Sequence, residues 1–243
     1  MISFLTSWPL VEAVGITSAF GVVARAMGTV SGSGLVGGII VGSAIYRFSG
    51  WPGFVVLGVF FVLASALTRF GYSRKQKLGA AQDEQGKRGA RHAAANCAAG
   101  VLLAAGYNLN GGDPVWAAGL VASFATASAD TAGSETGPVW GRTTVLAASF
   151  RRVAPGTPGA VSLQGTLAGV AAAAVVALAG YVTGLLDSAL VMALVVVSAV
   201  AAAWVESVLG GFPTVERTLG NEGMNLLNTF MGAILCMVMA LVI

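Results

Sequence analysis

Long apolar stretches separated by short polar segments run along the whole chain. A helix needs roughly 20 apolar residues to cross the hydrocarbon of a bilayer, and fewer where neighbouring protein shields its ends. Seven or eight stretches meet this description, and each predicts a membrane helix. They are 9–25, 34–46, 52–68, 93–107, 115–128, 163–185, 188–205 and 224–243. The second, fourth and fifth are short, so the pattern leaves open whether these three cross completely.

The composition agrees with an all-α, polytopic transmembrane bundle that forms a single domain over residues 1–243. Hydrophobic residues make up 56% of the chain and charged residues 9%, and the mean hydropathy is +0.82. An ordinary soluble domain has about a quarter of its residues charged. The net charge of +3 comes without a long basic run, which argues against nucleic-acid binding. The lipid bilayer is the expected partner, and the oligomeric state, including a homo-oligomer, stays open.

The basic residues divide unevenly between the two sides that eight spans create. Of the 13 Lys and Arg residues, only Arg47 falls on one of these sides. The positive-inside rule predicts that the other side is cytoplasmic. That side also receives the polar segments at about 69–91, 129–162 and 206–223. We therefore expect an integral, multi-pass membrane protein with its polar segments, and any site they form, facing the cytoplasm.

An acidic and hydroxyl-rich segment follows the fifth apolar stretch. Asp130 and Glu135 are five positions apart, and Thr131 and Ser134 lie between them. Two carboxylates with flanking hydroxyls suit Mg²⁺, which takes oxygen ligands and shares oxygens with substrate phosphates. A solvated helix end is the simpler interpretation. The density of polar groups beside an apolar helix favours metal or phosphate binding.

A glycine- and hydroxyl-rich segment leads directly into the sixth apolar stretch. Backbone amides at a helix N-terminus bind anions, and glycines let phosphate oxygens approach the backbone. The segment lacks the Gly-Lys-Ser/Thr of a Walker A loop, and a flexible connector is the alternative. The candidate phosphate ligands in this segment are Gly156, Thr157, Gly159, Ser162, Gly165 and Thr166.

Two further polar groups are candidates for the same site. The cations before the fourth stretch either anchor a helix at the membrane interface or neutralise phosphate. The polar residues around the last loop include a stripe on one helix face, which is costly against lipid and should face the protein interior. The first group is Lys87, Arg88, Arg91 and Asn96, and the second is Glu206, Ser207, Asn221, Asn225 and Asn228.

Together these segments resemble the DUF92/TMEM19 integral membrane family. The matching motifs are Asp-Thr-x-x-Ser-Glu-x-Gly at 130–137, Gly-Thr-x-Gly-Ala-Val-Ser-x-x-Gly-Thr-x-Ala-Gly at 156–169, Glu-Ser-x-x-Gly at 206–210 and Asn-Glu-x-x-Asn-x-x-Asn-Thr at 221–229. That family includes the phytyl-phosphate kinase of plants and cyanobacteria, and it looks distantly related to dolichol kinase and the CDP-lipid synthases. The resemblance implies that a phosphoryl group passes from CTP to a prenyl monophosphate with Mg²⁺ as cofactor.

The resemblance also implies roles by position. Asp130, Glu135 and Glu206 would bind the metal, 156–166 would wrap the triphosphate, and the cations at 87–91 would neutralise donor or acceptor. The remaining hydroxyl and amide residues would complete the site. The residues themselves leave two other functions open. One is a CTP-dependent lipid cytidylyltransferase, which releases pyrophosphate, and the other is a transporter with a polar site near the bilayer midplane.

Overall fold

The computed structural model describes residues 10–79 and 86–243 as a bundle of long helices. The helices are α1 (Leu10–Ala26), α2 (Gly32–Arg69), α3 (Tyr72–Lys77), α4 (Ala90–Leu109), α5 (Pro114–Trp140), α6 (Leu163–Val182), α7 (Ala189–Gly210) and α8 (Pro213–Ala240). Two short strands, β1 (Thr144–Leu146) and β2 (Ala160–Ser162), form an antiparallel pair. The predicted helical membrane bundle is confirmed, with this strand pair as an addition. Position 9 of the first predicted span and part of the predicted 69–91 segment lie outside the described residues.

Helix α2 contains the second and third predicted spans and folds back on itself at Gly50. Gly50 has φ 66° and ψ −162°, a conformation that glycine adopts without steric cost. Pro52 follows in the first turn of the next arm, where a missing N–H is tolerated. The two ends of the hairpin then meet, since Nη2 of Arg69 donates to the carbonyl of Met27 at 2.9 Å. The chain therefore begins and ends this helical hairpin on one side of the bundle.

The predicted short spans are longer in the structure than their apolar stretches. Helix α4 has 20 residues and α5 has 27, and at 1.5 Å per residue even α4 is about 30 Å long. Among the described helices, α2, α6, α7 and α8 are long and apolar enough to cross a membrane by length and composition alone. Helices α4 and α5 are not in this set, and α5 is surrounded by other helices, which shield its polar residues from lipid. The exact number of crossings stays a prediction.

Helix α5 is the central helix of the bundle. It packs against α2, α4, α6, α7 and α8, and every residue from Ala117 to Ala129 is buried. Small residues let α6 approach closely, as membrane helices commonly do. A Cβ at Gly169 would lie only 2.9 Å from the carbonyl oxygen of Ala129. This crossing fixes the C-terminal half of α5, which carries both candidate carboxylates.

The polar connections between helices meet at one end of the bundle. The segment before α4 pairs with the α1–α2 connection, where the Arg88 amide donates to the Thr29 carbonyl at 3.0 Å and the Ser31 amide donates to the Arg88 carbonyl at 3.1 Å. The segment before β2 reaches the α7–α8 connection, since a Cβ at Gly159 would overlap the backbone of Gly211. Separate polar segments thus converge on one end, and its cytoplasmic orientation stays a prediction.

Candidate functional site

A buried ion pair joins α3 to α5. The side chains of Lys75 and Glu135 are 1% and 3% exposed, and Nζ of Lys75 pairs with Oε2 of Glu135. The same Nζ donates to the carbonyls of Leu67 at 3.1 Å and Thr68 at 2.7 Å. These carbonyls belong to the last turn of α2, where helical carbonyls lack partners of their own. Oε1 of Glu135 is buried and has no hydrogen-bond partner among the described residues.

Arg88 lies next to this ion pair. Its Nη2 donates to the hydroxyl of Thr68 at 3.4 Å, and its guanidinium carbon lies 5.8 Å from the centre of the Phe60 ring. Burial lowers the pKa of Arg88, while attraction by the carboxylates of Glu135 and Asp130 opposes this shift. Nε of Arg88 is buried without a partner in the described parts of the chain. A cation with an unused donor therefore sits within electrostatic reach of both carboxylates of α5.

A second cluster, partly buried, joins α5, α7 and α8. The carboxyl groups of Asp130 and Glu206 lie close enough to interact electrostatically, and Nδ2 of Asn228 donates to Oε2 of Glu206 at 2.8 Å. Asn228 is 1% exposed, and no described residue bonds its Oδ1. Neighbouring carboxyl groups are stabilised by a shared proton or a bound cation. The cluster brings together polar side chains from three helices, and Asn228 faces Glu206 through its amide nitrogen.

The structure divides the three carboxylates that the sequence suggested as metal ligands. Asp130 and Glu206 face each other, whereas Glu135 is paired with Lys75. Within residues 10–79 and 86–243, no three His, Cys, Asp or Glu side chains form a cluster that could hold a metal. The polar groups that do meet are these two carboxyl groups and the amide of Asn228, whose nitrogen donates to Glu206. Sequence reasoning missed Lys75 because no spacing distinguishes it from the neighbouring cations.

The two carboxylates of α5 lie on a helix rather than in a loop. The segment expected to be a polar loop from 129 onwards stays helical to Trp140. Thr131 is buried beside the carboxylates, while Ser134 is exposed and its hydroxyl donates to the Thr131 carbonyl at 3.2 Å. The helix therefore turns Thr131 towards the protein interior and Ser134 away from it.

Part of the glycine-rich segment makes backbone contacts between elements. Ser162 caps α6 by accepting a hydrogen bond from the Gly165 amide at 3.2 Å. A Cβ at Gly165 would lie 2.9 Å from the Gly133 carbonyl oxygen. Gly159 has φ +72° and contacts the α7–α8 connection. These residues have a packing role whether or not a phosphate binds there, and phosphate binding by the segment stays a prediction.

The other candidate residues differ in exposure. Asn96 is buried, and its amide donates to the His92 carbonyl at 3.0 Å. Ser207 donates to the Ala203 carbonyl of its own helix at 3.0 Å. Neither bond reaches the two clusters, so these ligand roles stay predictions. The half-buried candidates are Lys87, Thr157, Thr166, Ser207 and Asn225, and the exposed candidates are Arg91, Gly156 and Asn221.

Comparison with known proteins agrees with the motifs. The profile of the integral membrane protein family DUF92 matches residues 15–233. The chain is 36% identical over 200 residues to an uncharacterized membrane protein of Synechocystis sp., covering 80% of this chain and 76% of that protein. It is 33% identical over 216 residues to Protein VTE6, chloroplastic, of Arabidopsis thaliana, and the match covers 86% of this chain and 65% of that protein.

A third relative is an uncharacterized membrane protein of Methanocaldococcus jannaschii. It is 30% identical over 207 residues, covering 83% of this chain and 82% of that protein. No solved structure matches the chain. The profile match covers most of the sequence and includes all four motifs that carried the resemblance. The chain therefore belongs to the DUF92 integral membrane protein family.

Proposed function

We propose that this protein transfers the γ-phosphoryl group of CTP to a prenyl monophosphate of the phytyl or geranylgeranyl type, forming the diphosphate at the cytoplasmic membrane face. The observation that supports this most directly is the Asp130–Glu206–Asn228 cluster beside the buried cation Arg88. Phosphoryl transfer depends on positioning and charge neutralisation more than on covalent catalysis. Membership of DUF92 and the resemblance to prenyl-phosphate kinases agree with this reaction.

The residues of the second cluster fit Mg²⁺. This ion prefers oxygen ligands and is commonly bound by one or two carboxylates together with substrate phosphates. Oδ1 of Asn228 is buried and unpartnered within the described residues, and the carboxyl groups of Asp130 and Glu206 face each other. In the proposed site these three side chains hold the ion. The bound ion would neutralise charge on the transferring phosphoryl group.

Arg88 supplies the second positive charge in this proposal. Its Thr68 contact and its place over the Phe60 ring orient the guanidinium, and the unused Nε can donate to a phosphate oxygen. Charge that develops on the phosphoryl oxygens is stabilised best by donors that are already in place. The acceptor is itself a phosphate and needs no strong base, so carboxylates and cations suffice.

An apolar groove offers room for the hydrocarbon tail of the acceptor. It lies between α7 and α8, has a volume of about 380 Å³ and is lined by residues such as Ala201, Val205, Met231 and Leu235. Val205 precedes Glu206 directly in the chain. In the proposal, a prenyl phosphate places its tail in this groove and its phosphate towards Glu206, the next residue of α7.

The test is an assay of purified, reconstituted protein with Mg²⁺ and CTP labelled at the α or the γ phosphate. Phytyl, geranylgeranyl and short alkyl phosphates serve as acceptors, and other nucleoside triphosphates replace CTP in parallel. Label from the γ position in the lipid supports the kinase. Label from the α position in the lipid, with γ label in pyrophosphate, identifies a cytidylyltransferase instead. Nucleotide-independent flux of prenyl phosphate across liposomes, without label transfer, identifies a transporter.

A further inference from the structure

The short helix α3 is fixed against the C-terminal end of α5. The rings of Phe70 and Trp140 lie with their centres 4.6 Å apart. One turn of α5 deeper, Lys75 reaches Glu135 and is almost fully buried. Lys75 is thus the deepest contact of α3 within the bundle.

Thr68 connects Lys75 to Arg88. The Thr68 carbonyl accepts a hydrogen bond from Nζ of Lys75 at 2.7 Å, and its hydroxyl accepts one from Nη2 of Arg88 at 3.4 Å. On the other side, Lys75 holds Oε2 of Glu135 and leaves Oε1 buried and unpartnered in the described chain. One lysine therefore contacts both the carboxylate that has a free oxygen and the residue that bonds the arginine.

We propose that Lys75 is a positioning residue for the transfer site, acting through Glu135 and through Thr68 on Arg88. The inference rests on the proposed function. A buried ion pair adds little net stability, because the cost of removing both charges from water offsets their attraction. The pair then contributes by fixing the positions of Oε1 of Glu135 and of the Arg88 guanidinium, since phosphoryl transfer depends on positioning. A purely structural role, capping the last turn of α2, is the competing explanation.

A double-mutant cycle in the full-length, reconstituted protein separates the two explanations. The variants are Lys75→Met, Glu135→Gln and the double variant, with Lys77→Met as a matched control because Lys77 is exposed on the same helix. The measurements are Tm in detergent, with and without Mg²⁺ and CTP, and kcat and KM for γ-phosphoryl transfer. Each single variant should have a lower Tm, because each leaves one buried charge unpaired.

The double variant decides the proposal. A positioning role predicts that its Tm returns close to the wild-type value while kcat stays roughly 10- to 100-fold below wild type, with KM values little changed. Recovery of both Tm and kcat would show that the pair only stabilises the fold, and so would overturn the inference. Wild-type kcat in both single variants would overturn it as well.

Failure of the proposed function gives a different pattern. If the wild-type protein transfers no phosphoryl group, the Tm increase caused by Mg²⁺ and CTP becomes the deciding measurement. An increase in the wild type and in Lys77→Met that is lost in the double variant supports positioning by Lys75. An equal increase in all variants, or no increase in the wild type, removes the inference.

Discussion

The two ends of the bundle use their carboxylates differently. At the end opposite the candidate site, Glu12 accepts a hydrogen bond from the Tyr46 hydroxyl at 2.8 Å. Asp113 caps α5 by accepting from the Val115 amide at 2.8 Å, and Asp187 is exposed to the surroundings. Among the residues that the structure describes, none of these three carboxylates meets a second carboxylate.

At the site end, carboxylates meet other charged or polar groups from different helices. Asp130 faces Glu206, and Glu135 pairs with Lys75. Buried polar atoms without partners cost free energy, and at this end they include Nε of Arg88, Oε1 of Glu135 and Oδ1 of Asn228. Arg47, near the turn of α2, also has a buried Nη1 without a partner among the described residues. Unpartnered atoms alone therefore do not define a site, and the proposed site depends on polar groups of several helices that meet at the same end.

The loss of stability on removing a carboxylate should differ most between the two ends when Glu135 is compared with Glu12. Glu135→Gln leaves Lys75 buried without its counter-ion, which should reduce the free energy of unfolding by about 3–5 kcal/mol. Glu12→Gln at the opposite end keeps an acceptor for Tyr46 and should cost less than about 1 kcal/mol. Denaturant unfolding in detergent measures both. Equal losses for the two variants would contradict the buried ion pair.

The facing carboxyl groups give the largest expected effect on activity. Asp130→Asn should lower kcat by roughly 10²- to 10³-fold, because a charge that stabilises the transferring group is lost. The exposed Asp187→Asn should transfer phosphate at the wild-type rate. Both variants should keep the wild-type Tm within a few degrees. Normal turnover in Asp130→Asn would eliminate the proposed metal site.

Removing the amide of Asn228 should have a smaller effect on activity, and the size of this effect should depend on the Mg²⁺ concentration. Asn228→Ala removes the unpartnered Oδ1 and the bond to Glu206, and should weaken Mg²⁺ activation by roughly 10- to 100-fold. At the other end the side chain of Asn110, the C-cap residue of α4, donates to the Gly106 carbonyl at 2.8 Å, so Asn110→Ala is the matched control. Rates measured over a range of Mg²⁺ concentrations separate the two. An unchanged Mg²⁺ requirement in Asn228→Ala would exclude Asn228 as a ligand.

A substitution at the helix crossing near Gly165 should have the smallest effect, and this effect should be on stability. Gly165→Ala forces α6 away from the Gly133 carbonyl and should reduce stability by about 1–3 kcal/mol. Gly38→Ala, at a helical position with open space around it, should instead stabilise the protein by about 0.5–1 kcal/mol. Unchanged stability of Gly165→Ala with a raised KM for CTP would favour phosphate binding over packing.

Hydropathy predicted the helical bundle well and predicted the central helix least well. The break between the second and third spans coincides with Gly50, where α2 turns. The apolar stretch at 115–128 ended too early, because α5 continues as a helix to Trp140. In this extension Thr131, Glu135 and Thr136 are buried by neighbouring helices, and local hydropathy contains no information about that burial. Hydropathy could not identify Lys75 for the same reason, because its burial depends on a contact with Glu135, which is distant in the chain.

By itself, the sequence determined the membrane class, the family motifs and the distribution of charge along the chain, because these depend only on residue types and spacing. Only the tertiary structure decided which polar groups meet. Lys75 and Glu135 are 60 positions apart, and Glu206 and Asn228 are 22 apart. Such pairs form when helices pack side by side, and the low-dielectric interior makes each pairing energetically decisive. The separation of Glu135 from the Asp130–Glu206 pair is therefore a property of the packed bundle.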